Sequence, residues 1–415
     1  MAQQTTLALE GGTPAVSLTH SPWPAIGEQE VQWMEEVVRS GKWSWQGPHE
    51  QAFCQEFAEF IGSRYALALA NGTVTLQCAL QAVGVEPGDE VIVPGMTWVA
   101  TAQAAMDIGA NVVLVDIDPE TFCLDPQAAE AAVTPRTKAL IPVHLYGCMC
   151  DMDAVTDLAQ RYSLQVVEDV AHQHGSRWRD RGAGAIGDAG SFSFQQSKVL
   201  TSGEGGAITC NDEEVYNVAF ALKQVGWTPP PEMRPANHYG HNYRITELQC
   251  VLLRGGLTRI EEQTRLRDEN AQLLAAGLAS RGGPLRAARR DPRVTRQAYY
   301  ALTLHFDREQ AEGVSRSQYG AALAAEGLPL IELYDPVYRN PLLNLYDRTS
   351  PIPYRDPRIV QDYSSLKLPV TERAKNETGL VLMHNHLLAE QAYIEQLLAA
   401  VEKVNANLGR LLAPI

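Results

Sequence analysis

The sequence predicts an α/β protein: a mainly parallel sheet with helices on both faces, followed by a smaller α+β unit. Three observations carry this. Short runs rich in Val and Ile alternate with amphipathic helical stretches through the middle of the chain, which implies right-handed crossovers between parallel strands. The runs lack polar alternation, as strands buried on both faces do. After about residue 245 the rhythm changes to one long helix and then to mixed, shorter elements.

In order, an apolar strand runs into Asn71-Gly72-Thr73 and a helix within Leu69–Leu80 (LANGTVTLQCAL). Glu90–Pro94 (EVIVP), Val112–Asp118 (VVLVDID), Ala139–His144 (ALIPVH) and Leu164–Asp169 (LQVVED) read as further strands. Between them, Trp98–Ile108, Asp125–Val133 and Met152–Tyr162 have helical patterning. Thr246–Asn270 predicts a long helix continuing towards Leu278, with a kink at Gly255-Gly256. Beyond it come a β-like YYALTLHF (Tyr299–Phe306), a helix near Ser317–Glu326, a Pro/Tyr-rich stretch from Pro329 to Pro369 and a final helix over Glu390–Leu412. The expected division is a large domain over residues 1–260, including an N-terminal arm, and a small one over 261–415.

Composition removes several functions. The chain has 415 residues, 34 Lys+Arg against 49 Asp+Glu, and a formal charge of -15. A nucleic-acid binder needs a basic footprint, so none is expected as a partner. Arg286, Arg289, Arg290, Arg293 and Arg296 form a local basic run, either a solvated surface or a site for an anionic substrate. No stretch approaches about 18 consecutive apolar residues, so no membrane span is expected. The start, MAQQTTLALEGGTPAV, lacks the basic and apolar regions of an export signal. Seven cysteines, an odd number, with only Cys148 and Cys150 close together, read as free thiols in a reducing cytoplasm.

The chemistry-bearing residues gather at strand ends, where open α/β sheets bind ligands. In GSFSFQQSKVLTSGEGG (Gly190–Gly206), Lys198 follows an alternating strand in a polar turn, a setting in which a lysine amine can become nucleophilic. VVEDVAHQHG (Val166–Gly175) ends a strand in Glu168-Asp169 beside His172 and His174. A carboxylate there can hold a protonated ring nitrogen; a metal site is the competing reading. Gly72 permits a tight turn, and the free amides of the following helix start attract a phosphate. Trp98 follows a strand end and offers a flat face for stacking. Singly, these read as a surface lysine, a capped turn and a core tryptophan. Jointly they supply a phosphate cradle, a stacking ring, a carboxylate and an amine, which is what pyridoxal 5'-phosphate requires.

Six stretches, in order and over about nine-tenths of the chain, resemble the DegT/StrS-like sugar aminotransferases, a family of fold-type I pyridoxal-phosphate enzymes. They are SGKWSWQGPHEQAFCQEFAEFIG, ANGTVTLQCALQAVGVEPGDEVIVPGMTWVATA, GANVVLVDID, VEDVAHQHGS, SFSFQQSKVLTSGEGGAI and GHNYRITELQCVLL. The resemblance implies a seven-stranded-type sheet and a role for each matching residue. Lys198 would make the Schiff base with the cofactor and shuttle the proton, and Asp169 would pair with the ring nitrogen. Trp98 would stack on the ring and His172 would sit near its hydroxyl. Gly72, Thr73, Val74 and Ser193 would hold the phosphate. Asn242 would reach the phosphate of a neighbouring subunit, which implies a homodimer with shared active sites. A dehydratase subgroup has His in place of the lysine, so Lys198 favours amino transfer, ping-pong through pyridoxamine phosphate.

The resemblance leans towards enzymes that aminate keto-cyclitols such as scyllo-inosose with L-glutamine, or make aminohydroxybenzoate precursors. A nucleotide-linked keto-sugar is the alternative acceptor, and a non-catalytic, cofactor-binding regulator is the alternative class. A nucleotide diphosphate would need a basic site, for which the Arg286–Arg296 run is the obvious supplier; a neutral cyclitol needs none. Further substrate candidates are Trp43 and Trp45, which could roof a partner's site or simply pack, and Tyr243 and Arg244 beside Asn242. His384 is a further candidate: with His386 it has i, i+2 spacing that on a strand would place both on one face, as a structural or solvent-facing pair or in contact with the substrate.

Overall fold

The apolar runs become neighbouring strands in the computed structural model, which describes residues 6–20, 22–341 and 361–412. The larger part begins with α1 (Glu28–Ser40), α2 (Pro48–Ile61), β1 (Tyr65–Leu69), α3 (Gly72–Ala82), β2 (Glu90–Pro94) and α4 (Ala100–Asp107). It continues through β3 (Asn111–Val115), α5 (Pro126–Ala131), β4 (Thr137–Leu140), α6 (Met152–Tyr162) and β5 (Gln165–Asp169). The short β6 (Arg177–Trp178) and β7 (Arg181–Gly182) precede β8 (Ala189–Ser193), β9 (Gly206–Cys210) and α7 (Glu213–Lys223).

Seven of these strands form one sheet in the order β1-β9-β8-β5-β4-β2-β3. From β8 to β3 every pairing is parallel, and β9 alone runs antiparallel to its neighbours β1 and β8. The mainly parallel α/β expectation is met. All five residues of β2 are buried, as its unbroken apolar run requires. Phe192 and Phe194 are buried against Phe57 of α2, so the alternation of SFSF points its rings into the core. The strands expected over Val112–Asp118 and Ala139–His144 end early, at Val115 and Leu140; the polar residues beyond them are already loop.

The second part is built from α8 (Glu247–Arg281), β10 (Leu285–Ala287), β11 (Val294–Arg296), β12 (Ala301–Phe306) and α9 (Arg316–Ala325). β13 (Ile331–Glu332), α10 (Pro369–Arg373), β14 (Gly379–Met383) and α11 (Gln391–Asn405) complete it. β10-β12-β14-β13 form an antiparallel sheet with its own apolar cluster, shared with α9, α11 and the end of α8. β11 pairs instead with β6. Leu7 of the N-terminal segment is buried in this second cluster, and the Ala8 and Ala15 amides donate to the Glu326 carboxylate. The arm therefore packs on the small sheet's cluster rather than on the large sheet.

Two expectations are corrected here. α8 runs unbroken through Gly255-Gly256, entered by a capping box of Thr246 and Gln249. The glycines serve close packing instead: a Cβ on Gly255 would overlap Glu30 of α1, and one on Gly256 would lie 2.6 Å from Leu200. The final helix stops at Asn405, and Leu408–Leu412 is a separate 3₁₀ turn. Positions 342–360 of the Pro/Tyr-rich stretch lie outside the described residues. Among the described residues no helix is long and apolar enough to cross a membrane, and all seven cysteines are free.

Candidate active site

The strand ends converge on one cavity of about 620 Å³ at the carboxyl edge of the large sheet. Beyond β1 lie Gly72, Thr73 and Val74; beyond β2, Thr97, Trp98 and Thr101. Asp169 and His172 come from the end of β5, and Ser193 and Lys198 from β8 and its loop. Every one of these lines the cavity.

Period two separates the adjacent acids Glu168 and Asp169 onto opposite sides of β5. Glu168 is fully buried and spent: it accepts from the Gly184, Ile186 and Gly187 amides at 2.7–2.9 Å and bonds His144 at 3.0 Å. Burial alone would raise its pKa, but His144 and the backbone donors outweigh that and hold it below the ordinary value. Glu168→Ala strips an acceptor from four donors, His144 and Gly184 buried and Ile186 and Gly187 half-buried. Its expected cost is about 3–5 kcal/mol, read by urea denaturation.

Asp169 faces the cavity. Its Oδ2 accepts from Thr101 Oγ1 at 2.8 Å, and Thr101 is bonded in turn to Thr97 at 2.8 Å. Its Oδ1 accepts from the Ala171 amide at 3.1 Å. Burial raises its pKa despite these bonds. Such a carboxylate gains from a cation beside it, and a protonated ring nitrogen is one.

Lys198 is the opposite charge in the same cavity. Burial pulls its amine down to about 8, with Asp169 acting against the shift. Its Nζ lies 4.5 Å from the centre of the Tyr300 ring, and the Tyr300 hydroxyl bonds Ser197 Oγ at 3.0 Å. The sequence left a surface lysine open for this residue; the structure places it inside the cavity.

At the other end, Gly72 opens α3 so close to Ser193 that an added Cβ would lie 2.7 Å from the serine Cβ. This brings the start of the helix and the Ser193 hydroxyl side by side, an arrangement able to receive an anion. The Val74 amide already donates to Asn71 Oδ1 at 3.0 Å, so it caps the helix rather than standing free. Trp98 is 51% exposed and tilted against Tyr334, with ring centres 5.4 Å apart.

His172 is stacked on Tyr300 with ring centres 4.0 Å apart, and its Nδ1 accepts from the Tyr146 amide. His174 bonds the Ser193 carbonyl. The histidines of the competing metal reading thus have other partners, and no cluster of three metal-ligating side chains exists among the described residues. The cavity as a whole fits pyridoxal phosphate: a cradle at one end, a buried carboxylate at the other, an amine and an indole face between.

Other candidates lie outside this lining. Asn242 is exposed, its Oδ1 3.5 Å from the Arg244 amide. Arg244 sits over the exposed Trp45 ring at 5.8 Å, Trp43 Nε1 donates to the Val38 carbonyl, and Tyr243 stacks on His241. His384 lies just past β14 and His386 opens a 3₁₀ turn, so they do not share a strand face. His384 is buried against the Ser197 carbonyl and His386 bonds Tyr393. The arginine run is no free anion site. Arg286 and Arg289 face Glu120, Arg290 pairs with Asp268, and Arg296 with Glu261. Arg293 is held by Asp151, Asp153 and Asp291.

Sequence reasoning missed Thr97, Thr101, Tyr300 and Tyr334, all on the cavity wall. A signal existed for the threonines, which sit four apart at the start of a helix. The tyrosines gave none, since they arrive from the second part of the chain.

Residues 24–394 match the model of the DegT/DnrJ/EryC1/StrS aminotransferase family. A Streptoalloteichus tenebrarius protein, provisionally named an L-glutamine:3-amino-2,3-dideoxy-scyllo-inosose aminotransferase, is 40% identical over 98% of this chain and 99% of its own. The L-glutamine:2-deoxy-scyllo-inosose aminotransferase of Micromonospora echinospora is 36% identical over 97% of this chain and 98% of its own. Among solved structures, 3-amino-5-hydroxybenzoic acid synthase superposes with a TM-score of 0.82 at 32% identity, over 96% of this chain and all of that one. The chain therefore belongs to the DegT/DnrJ/EryC1/StrS aminotransferase family, as its sequence resemblance implied, and is an aminotransferase of fold type I.

Proposed function

We propose that this aminotransferase carries pyridoxal 5'-phosphate on Lys198 and moves an amino group from L-glutamine to a neutral keto-cyclitol of the scyllo-inosose class. The observation that carries the acceptor is the cavity wall. Among the described residues lining it, Lys198 is the only cation, beside the acids Asp169 and Glu204. A nucleotide diphosphate would bring at least two negative charges into that wall; the arginines of the 286–296 run are occupied elsewhere, which leaves Arg244, at the border of the neighbouring site on this reading, to meet them. A polyhydroxy ring needs only hydroxyls and rings, which Gln195, Ser197, Tyr300 and Tyr334 supply. The names of the relatives give L-glutamine as the donor and a scyllo-inosose as the acceptor, the neutral 2-deoxy compound in one and a 3-amino derivative in the other.

When bound, the cofactor supplies a carbonyl carbon that captures the amine and a ring that takes up the electrons left at the donor's α-carbon. The protein's part is to orient and to move protons. Asp169, fixed by Thr101 and the Ala171 amide, holds a positive ring nitrogen. Lys198 Nζ, with its pKa lowered by burial to about 8, keeps a free-base fraction at neutral pH far above that of an ordinary lysine; in that form it can take a proton and then return it. The Thr73 region and Ser193 hold the phosphate, and Trp98 covers the ring.

The molecule works, on this reading, as a homodimer in which the exposed Asn242 reaches the neighbouring cradle, and Trp43, Trp45, Tyr243 and Arg244 border that neighbour's site. The division near residue 260 falls within α8, and the free thiols fit a cytoplasmic setting. The test is an acceptor panel with L-glutamine as donor. Turnover of 2-deoxy-scyllo-inosose at more than about a hundred times the kcat/KM of a nucleotide-linked keto-sugar supports the reading. The reverse preference overturns it.

A further inference from the structure

Behind the loop that carries Lys198 lies a buried polar cluster unused by the chemistry above. Arg267 of α8 is 0% exposed, and among the described residues none of its three guanidinium nitrogens has a hydrogen-bond partner. The guanidinium lies over the Trp23 ring, 5.4 Å from its centre, and Trp23 packs edge-on against His384 with ring centres 4.7 Å apart. The Nδ1 atoms of His174 and His384 are buried without a partner too.

These atoms are complementary. His174 Nε2 is 2.8 Å from the Ser193 carbonyl, and His384 Nε2 is 3.0 Å from the Ser197 carbonyl. A carbonyl only accepts, so each Nε2 carries the ring proton and each Nδ1 presents a lone pair. Arg267 has donors and no acceptor. A buried guanidinium left unpartnered is costly, and so is a buried lone pair. One arrangement relieves both: since no direct bond joins them, the arginine donates towards the two lone pairs through bridging water. Burial, and the Arg267 charge after it, keep His384 neutral; His174 is held down to about 3, chiefly by burial, with Arg267 acting in the same direction. Neither ring then gains a second proton that would break the arrangement.

We propose that Arg267 is a positioning residue for Lys198. Acting through Nδ1 of His174 and of His384, it fixes the two Nε2–H donors that clamp the Ser193 and Ser197 carbonyls, the two ends of the segment leading into the lysine. Its reach is indirect, since Arg267 does not line the cavity. The inference rests on the reading of Lys198 as the reactive amine.

The test compares Arg267→Met and Arg267→Lys with the natural chain. In the cofactor-free full-length protein, amide hydrogen exchange of peptides covering residues 193–202 rises about tenfold in Arg267→Met, with the rest of the large sheet unchanged. Arg267→Lys, which keeps a charge and donors, restores most of the protection. In the loaded enzyme, Arg267→Met lowers kcat about 10- to 100-fold, with KM for L-glutamine moving less than about threefold. A folded Arg267→Met with natural exchange and kcat overturns the proposal, as does a uniform rise in exchange without a local excess. If Arg267→Met does not fold, His384→Gln, which keeps a donor for Ser197, is compared with His384→Leu, which does not. Loss of kcat and loop protection only in the leucine variant supports the proposal, and equal behaviour overturns it. Turnover by Lys198→Ala would instead sink the reading of the lysine and leave the exchange result standing.

Discussion

Lys198→Ala lowers turnover with L-glutamine by more than about a thousandfold while the fold stands. The amine has no carboxylate in salt-bridge contact among the described residues, and its burial disfavours its charged form, so removing it takes little from stability. What is lost is the one lysine amine among the described residues that line the cavity. The natural protein gives an independent readout. With a pKa lowered from 10.5 to about 8, Nζ is mostly free base above pH 8 and mostly protonated below it. Acylation of Lys198 in the cofactor-free protein should therefore level off near pH 9, where an ordinary lysine is still rising. Equal residual turnover in Lys198→Ala, measured as amino-cyclitol formed, would remove the residue from the chemistry.

Asp169→Asn has the second largest expected effect, about a hundred- to a thousandfold in kcat, with weaker retention of the cofactor. The substitution is isosteric and its hydrogen bonds can be rebuilt. An asparagine oxygen can still accept from Ala171, and the Thr101 hydroxyl can turn to accept from the new amide while donating to Thr97. The change is then electrostatic: a buried negative charge, raised in pKa by its burial, disappears from beside the ring nitrogen. Asp169 also holds the Lys198 pKa up, so the variant's lysine should titrate below the natural midpoint. A variant with natural kcat and an unmoved lysine midpoint would show that the carboxylate serves only the fold.

The scaffold was legible because buried parallel strands are written as unbroken apolar runs, and EVIVP and QVVED end where their strands end. Which of Glu168 and Asp169 faces the cavity was not written there. Adjacent strand residues face opposite ways, and the choice depends on which side receives the Gly184–Gly187 turn. The family resemblance picked Asp169. For the arginine run both a solvated surface and an anion site stood open, and the partners that decide between them, Glu120, Asp151, Asp268 and Glu261, lie elsewhere in the chain. His384 and His386 were read with strand spacing, and the chain leaves the strand at Met383. Tyr300 and Tyr334 complete the wall through packing between the two parts of the molecule, a relation that no local pattern records.

The account's central claim, that Lys198 in this cavity is the amine that carries the cofactor, is tested most directly by borohydride reduction of the cofactor-loaded protein followed by peptide mass mapping. The account predicts a phosphopyridoxyl group on the peptide containing Lys198, and none there when L-glutamine is added before the reductant. Labelling of a different lysine, or a Lys198 peptide that stays unmodified in loaded protein without donor, would contradict it.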